Sequence, residues 1–513
     1  MAVSVNQQDY FPSTNKFKGT NLENWMPHLR RFIGAALASL IITVWSSATI
    51  FAGQAASPPT ELVVISNSTS LSLQREIDAI LAHEFLPFTN VGIKVISLKK
   101  GDTIYEFNPQ LLLTPASTQK IFTTAAALAV LGPDREVATT VALDAAGGMV
   151  YLKGCGDGML SAADLAALAS TAARAMDRSR KYRLAADVSC FDDLYRGSGW
   201  MWDDDEFLLS PLSVNQNAVS LLVQPGPKQG APATVKVEPA TSYFTLKNLA
   251  RTGSVSEPES IKTARRPGDR DNVITISGVI PQRSGPLEKH ASVWRPELMA
   301  LTLFRDALRA QGVKVTGMST APTPAGASVL AFKSRRLGDL VRFALKTSDN
   351  VTAENLLKLI GLRSTGQPGS AEAGSAAVRR FLAVQGIPAE HLVLADGSGV
   401  SRYNLTSAAT LTQVLQAVHR DRELNRIFYD SLPIAGKDGT LKLRMKGSCA
   451  EGNLRGKTGN MTGVSALSGY ASTADGEPLA FSMIMQNYAG SGRHAREIQD
   501  RIAALLCGFR RPR

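Results

Sequence analysis

Leu73, Ile77, Ile80 and Leu81 recur at helical spacing. Val91 to Leu98 reads as a strand, Lys100-Gly101-Asp102 as a turn and Thr103 to Phe107 as a second strand. Thr114-Pro115 has the form of an N-cap followed by proline at the first helical position, and Ile121 to Leu131 is almost wholly apolar until Gly132-Pro133 stops it. That pattern predicts a buried helix with Ser117 in its first turn. From about Val141 the character changes. Val141 to Leu143 and Met149 to Leu152 flank Gly147-Gly148 as a hairpin, and further strands are expected at Thr234 to Val237 and Val273 to Ile276. Ala162 to Ala175 is the helix of this region, and proline- and glycine-rich stretches such as Pro225 to Pro232 and Pro281 to Pro286 punctuate it.

Helical periodicity returns at Pro296 to Ala310, Leu337 to Lys346 and Thr352 to Ile360. Gly463 to Ala471 and Leu479 to Gln486 read as central strands, and Arg493 to Leu506 as a closing amphipathic helix. Helix and hairpin first, helices in the middle and strands last imply a discontinuous α/β domain assembled from both ends of the chain. The expected boundaries are an export segment at 1–56, a first catalytic part at 72–140, a mostly β insertion with room for two nested lobes at 141–295, and a second catalytic part at 296–513.

A chain of 513 residues is too long for one ordinary core, and 44% hydrophobic with 19% charged residues excludes a disordered one. The net charge is +12, with the basic residues scattered apart from the tail Arg510-Arg511-Pro512-Arg513. No aromatic-basic motif accompanies the charge, so nucleic acid is not an expected partner. A dispersed positive balance could assist encounter with an anionic cell wall or a lipid headgroup surface, and so a peripheral membrane association. Arg30-Arg31 precede an apolar run from Phe32 to Val44, and Gly53 and Ala55 suit the −3 and −1 subsites of a signal peptidase. Export to the periplasm or cell envelope is expected. The alternatives to cleavage are a start downstream or a retained anchor, since extension to Phe51 gives about 20 residues.

Cys155, Cys190, Cys449 and Cys507 match no metal-ligand spacing, and the reading calls for no metal and no cofactor. A Cys155–Cys190 bridge and four unpaired small hydrophobes fit the sequence equally.

Three strings carry chemistry in order: Ser117-Thr118-Gln119-Lys120, Ser348-Asp349-Asn350 and Lys457-Thr458-Gly459. The set S-x-x-K, S-x-N, K-T-G belongs to penicillin-binding proteins and class A β-lactamases. A serine hydroxyl needs a base within reach, and residues three apart on a helix share a face, so Lys120 is placed to take the proton of Ser117. A helix N-terminus also directs backbone N–H groups at a developing oxyanion. Ser13/Lys16 and Ser97/Lys100 repeat the S-x-x-K spacing, but one lies in the export segment and the other runs from strand into turn. Ser348 is expected to relay a proton between Lys120 and the leaving amine, Asn350 to hold the substrate amide, and Asp349 to support the loop. Ser213-Val214-Asn215 matches S-x-N equally well within the β region. Lys457 offers charge and Thr458 a hydroxyl to a substrate carboxylate, while Gly459 lets the substrate lie against the strand.

The interval from residue 117 to residue 348 is far larger than a compact β-lactamase requires. With this insertion the chain resembles the class C low-molecular-mass penicillin-binding proteins, the DacB-like D-alanyl-D-alanine carboxypeptidase/endopeptidase family. Agreeing strings are Pro115-Ala116-Ser117-Thr118-Gln119-Lys120, Leu212-Ser213-Val214-Asn215-Gln216-Asn217, Asp396-Gly397-Ser398-Gly399-Val400-Ser401-Arg402 and Asp438-Gly439-Thr440-Leu441, within a match over about residues 72 to 506. The resemblance implies a penicillin-binding/β-lactamase-like serine transpeptidase fold. It implies an acyl-enzyme on Ser117 formed from peptidoglycan stem peptides, cleavage of cross-links in some members, and acylation by β-lactams. It also implies an oxyanion hole from the backbone N–H groups of Ser117 and Asn460. Asn460 stands where the family usually has threonine, and Cys155 where it usually has glycine.

The rival readings are a β-lactamase with fast deacylation, which the insertion opposes, and a wall-binding protein with a relic site, which intact Ser117, Lys120, Ser348 and Lys457 oppose. Asp203-Asp204-Asp205-Glu206 reads as an acidic loop, and Gly397-Ser398-Gly399 lacks the flanking glycines of a nucleophile elbow.

Overall fold

A computed structural model describes residues 70–82, 86–201, 207–265 and 271–511. The export segment, Asp203 to Glu206 and the last two residues of the basic tail lie outside them. No helix among the described residues is long and apolar enough to cross a membrane.

The chain opens with α1 (Ser70–Leu81), then the hairpin β1 (Asn90–Ser97) and β2 (Thr103–Phe107), and α2 (Lys120–Leu131). A β-rich stretch follows: β3 (Glu136–Asp144), β4 (Met149–Lys153), α3 (Ala162–Arg174), β5 (Lys181–Asp187), β6 (Ala218–Gln224), β7 (Thr234–Glu238), β8 (Thr245–Gly253), β9 (Lys262–Arg265), β10 (Val273–Pro281), β11 (Leu287–Ser292), α4 (Pro296–Ala310), β12 (Lys314–Thr320) and β13 (Ser328–Arg336). The remainder is α5 (Leu337–Lys346), α6 (Asn350–Thr365), α7 (Ala371–Val384), α8 (Ala408–Arg420), α9 (Arg422–Ser431), β14 (Arg455–Met461), β15 (Val464–Ser472), β16 (Pro478–Gln486) and α10 (Arg493–Gly508).

The two ends of the chain meet in one antiparallel sheet of order β14-β15-β16-β1-β2. Strand β1 pairs with β16 over its whole length, from Asn90 opposite Gln486 to Ser97 opposite Leu479. Strands β15 and β16 are buried along nearly every residue because both faces are covered. On one face lie α1 and α10, whose Leu73, Ile77, Ile498, Ile502 and Leu506 pack with Val91, Ile93 and Val95. On the other lies α8, with the apolar α2 and the helices around it forming a second core.

The β-rich region is built on the sheet β12-β5-β4-β3-β13, with α3 and α4 packed together and α4 against β5 and β12. Two three-stranded sheets, β11-β6-β7 and β8-β10-β9, complete it. This corrects two expectations. Helix α4, placed by sequence with the second catalytic part, packs within the β-rich region, and β13 returns at residues 328–336 to pair with β3. Neither is visible in local periodicity, since edge-strand pairing depends on a partner almost two hundred positions away. Cys155 and Cys190 form a disulfide between the segments that follow β4 and β5, while Cys449 and Cys507 are free.

Candidate active site

Ser117 sits in a 3-10 turn, Ala116–Gln119, that precedes α2, and not in the first α-helical turn as its spacing suggested. Ala116 has φ of 46°, a left-handed conformation rare outside glycine, and this sharp entry separates the turn from the helix. Two glycines permit the turn's tight surroundings. A Cβ on Gly459 of β14 would lie 2.6 Å from the carbonyl oxygen of Pro115, and one on Gly399 would lie 1.9 Å from that of Ala116.

Lys120 opens α2 and is fully buried. Its Nζ donates to Ser117 Oγ at 3.0 Å, to Asn350 Oδ1 at 2.6 Å and to the carbonyl oxygen of Ser398 at 2.7 Å. Burial pushes its pKa down to about 8, against the opposing pull of Asp396, Asp349 and Glu354. Asp349 accepts from the backbone N–H of Thr352 at 2.7 Å and caps α6.

Lys457 is also fully buried, beneath edge strand β14, and donates to Ser348 Oγ at 2.9 Å and to the carbonyl oxygen of Thr458 at 2.7 Å. Burial, and then the charge of Lys120, lower its pKa well below the usual lysine value. Ser348 has φ of 63° and lies between α5 and α6. Its hydroxyl is thus bonded to Lys457, and Asn350 to Lys120. The hydroxyl of Thr458 donates to Thr440 Oγ1 at 2.8 Å, Gly459 is buried against the nucleophile turn, and Asn460 is exposed. All eight residues singled out in the sequence therefore lie on the nucleophile turn and α2, the α5–α6 junction or β14.

Several groups were not singled out. Thr440 belongs to the Asp438-Gly439-Thr440-Leu441 string, and Ser398 to the Asp396 loop, so each had a signal without a role. Glu354 had none. Fully buried on α6, it accepts the N–H groups of Gly397 at 3.0 Å and Ser398 at 2.8 Å, and burial with the nearby Asp396 raises its pKa to about 7. Asp396 in turn accepts from Gly399 N, Ser401 N, Asn404 Nδ2 and Trp200 Nε1. The loop that presents the Ser398 carbonyl to Lys120 is therefore held by two buried carboxylates.

Among the described residues, the other Ser-x-x-Lys and Ser-x-Asn copies have structural duties. Ser97 Oγ bonds Glu477 and accepts from Lys100 N, and Ser213 Oγ donates to the carbonyl oxygen of Ser210 at 2.6 Å. In the basic tail, Arg511 pairs with Asp102 and Glu477.

The D-Ala-D-Ala carboxypeptidase 3 (S13) family profile matches residues 73–507. The D-alanyl-D-alanine carboxypeptidase of Actinomadura sp. (strain R39) is 34% identical, over 93% of this chain and 91% of that one. The D-alanyl-D-alanine carboxypeptidase DacB of Haemophilus influenzae is 26% identical, over 78% and 86%. Among solved structures, penicillin binding protein 4 (dacB) from Haemophilus influenzae shares the fold with a TM-score of 0.73 at 24% identity, covering 84% of this chain and 99% of that one.

Proposed function

The chain belongs to the D-Ala-D-Ala carboxypeptidase 3 (S13) family, serine-type carboxypeptidases, and on that premise we propose how its residues divide the reaction. Ser117 Oγ attacks the carbonyl carbon between the two terminal D-alanines of a peptidoglycan stem peptide as neutral Lys120 takes its proton. The backbone N–H groups of Ser117 and Asn460 stabilise the oxyanion. The C–N bond then breaks, D-alanine leaves with a proton passed through Ser348, and water releases the shortened peptide from Ser117. The buried lysine 3.0 Å from Ser117 Oγ carries this reading, because its lowered pKa supplies a base near neutrality.

Thr458 and Thr440 present hydroxyls for the substrate carboxylate, and Lys457 supplies charge from beneath the strand. An arriving carboxylate favours the charged form of that lysine. Gly459 admits the substrate backbone, and the Asn350 amide nitrogen holds the substrate amide. β-Lactams acylate the same serine; the Haemophilus influenzae penicillin binding protein 4 is known in complex with one. We place the enzyme outside the cytoplasm, in the periplasm or cell envelope; the Cys155–Cys190 disulfide supports an oxidising compartment.

Incubation with a stem pentapeptide and with a cross-linked muropeptide tests the assignment. Release of one D-alanine per pentapeptide, lost in Ser117→Ala, is expected. Penicillin labelling without product from either substrate would overturn the substrate.

A further inference from the structure

The two sides of the active site are also joined away from the reacting atoms. Lys346 is the last residue of α5 and stands just ahead of Thr347 and Ser348. Its Nζ donates to Asp438 Oδ2 at 2.5 Å, across 92 residues of chain. Asp438 precedes a 3-10 turn, Gly439–Leu441, that carries Thr440. Chain and hydrogen bonds together close a ring. Ser348 Oγ accepts from Lys457 Nζ at 2.9 Å, the adjacent Thr458 Oγ1 donates to Thr440 Oγ1 at 2.8 Å, and Asp438 returns to Lys346.

The segment that carries Asp438 is fastened to β14. The backbone N–H of Gly456 donates to the carbonyl oxygen of Pro433 at 2.9 Å, and Ile434 forms a β-bridge with Arg455. Asp438 Oδ1 accepts the N–H of Ile434 at 2.8 Å, and the Asp438 N–H donates to the carbonyl oxygen of Ile434 at 3.2 Å. Oδ2 is thereby turned toward α5. The backbones meet at the same place, since a Cβ on Gly439, with φ of 54°, would lie 2.7 Å from the carbonyl oxygen of Lys346. The side chains of Lys346 and Asp438 are 18% and 42% exposed, and a pair so open to water contributes little to folding. It is nevertheless a directional, charge-assisted bond between the helix that leads to Ser348 and the turn that sets Thr440 against Thr458.

We propose that Lys346 and Asp438 are positioning residues: their ion pair sets the spacing between Ser348 and the Thr440–Thr458 hydroxyls, and so the grip on the terminal carboxylate of the substrate. The proposal rests on the function given above, in which those hydroxyls receive that carboxylate, and adds a determinant that does not touch the substrate. Small displacements of a positioning group are costly, because the benefit of a bound geometry is lost within about 1 Å.

The test compares turnover of a stem pentapeptide with that of the same peptide ending in a carboxamide. Lys346→Met and Asp438→Asn remove the charges at nearly constant volume, and the asparagine Oδ1 can still accept from Ile434. Each should reduce the preference for the free acid, as a ratio of kcat/KM values, about fivefold to tenfold and mainly through KM, with Tm within about 2 °C of the parent. The double variant should be no worse than the poorer single one, because both remove the same interaction. Lys346→Arg, which keeps a cation, should retain most of the preference. Equal losses on the two peptides, additive losses in the double variant, or an unchanged preference in both single variants would overturn the proposal. If the parent turns over neither peptide, the activity proposed above falls and benzylpenicillin acylation decides the pair: slowing of about fivefold to tenfold in each single variant and no more in the double sustains it, and unchanged acylation overturns it.

Discussion

Lys120 Nζ donates to Asn350 Oδ1 at 2.6 Å across 230 residues of chain. Lys120, the proposed base, is therefore aimed by α6 as well as by its own helix, and two of the ordered motifs form one hydrogen-bonded unit. With Ser117 Oγ and the Ser398 carbonyl also in reach, all three hydrogens of the charged form have acceptors.

Lys120→Arg should cut the rate of benzylpenicillin acylation by about 10²–10⁴-fold, because a guanidinium cannot become neutral and accept the serine proton. Time-resolved labelling with a fluorescent penicillin measures this. A rate within tenfold of the parent would remove Lys120 from the role of base.

The acylation rate should rise with pH to a midpoint near 8 and then level. Lysine accepts a proton only when neutral, and the neutral form predominates above the lowered pKa of about 8. Below that value the rate should fall tenfold per pH unit. A profile flat from pH 6 to 9 would contradict the assignment.

Glu354→Gln should move that midpoint downward. Above pH 7 the Glu354 carboxylate is charged and favours protonated Lys120, so its neutral replacement makes the lysine easier to deprotonate. The retained Oε1 still accepts from Gly397 and Ser398. Glu354→Ala removes that acceptor and should cost about 1–3 kcal/mol by thermal or urea unfolding, together with a lower plateau rate.

Gly459→Ala should slow acylation at least about tenfold and destabilise by roughly 1–3 kcal/mol, since its Cβ would press on the Pro115 carbonyl. The contact is with backbone, which no side-chain rotation relieves. Penicillin labelling and urea unfolding of the same variant read both effects.

Double replacement of Cys155 and Cys190 by serine should lower stability by about 2–4 kcal/mol, because the bridge closes a loop of some 35 residues. Denaturant unfolding with and without reductant should show the reductant sensitivity vanish in the variant.

The local pattern of the chain determined the elements that carry the reaction. Helices α1, α2, α4 and α5, the β1–β2 hairpin and strands β15 and β16 follow from apolar spacing, because a helix or strand shows its periodicity within a few residues of itself. The ordered strings around Ser117, Ser348 and Lys457 determined which chemistry those elements serve, with the resemblance supplying the fold. Local spacing does not assign helices α7 to α9 or strands β5, β6, β8, β9, β11, β12 and β13.

What the tertiary structure decided depends on distant partners. It selected Ser348-Asp349-Asn350 over Ser213-Val214-Asn215, since the former bonds both Lys120 and Lys457. It placed Ser117 on a 3-10 turn, moved α4 into the β-rich region, resolved the cysteine pairing and revealed Glu354 beneath the Ser398 loop. Burial, a shifted pKa and a hydrogen bond spanning hundreds of residues are properties of packing, which residue identity and local spacing do not contain.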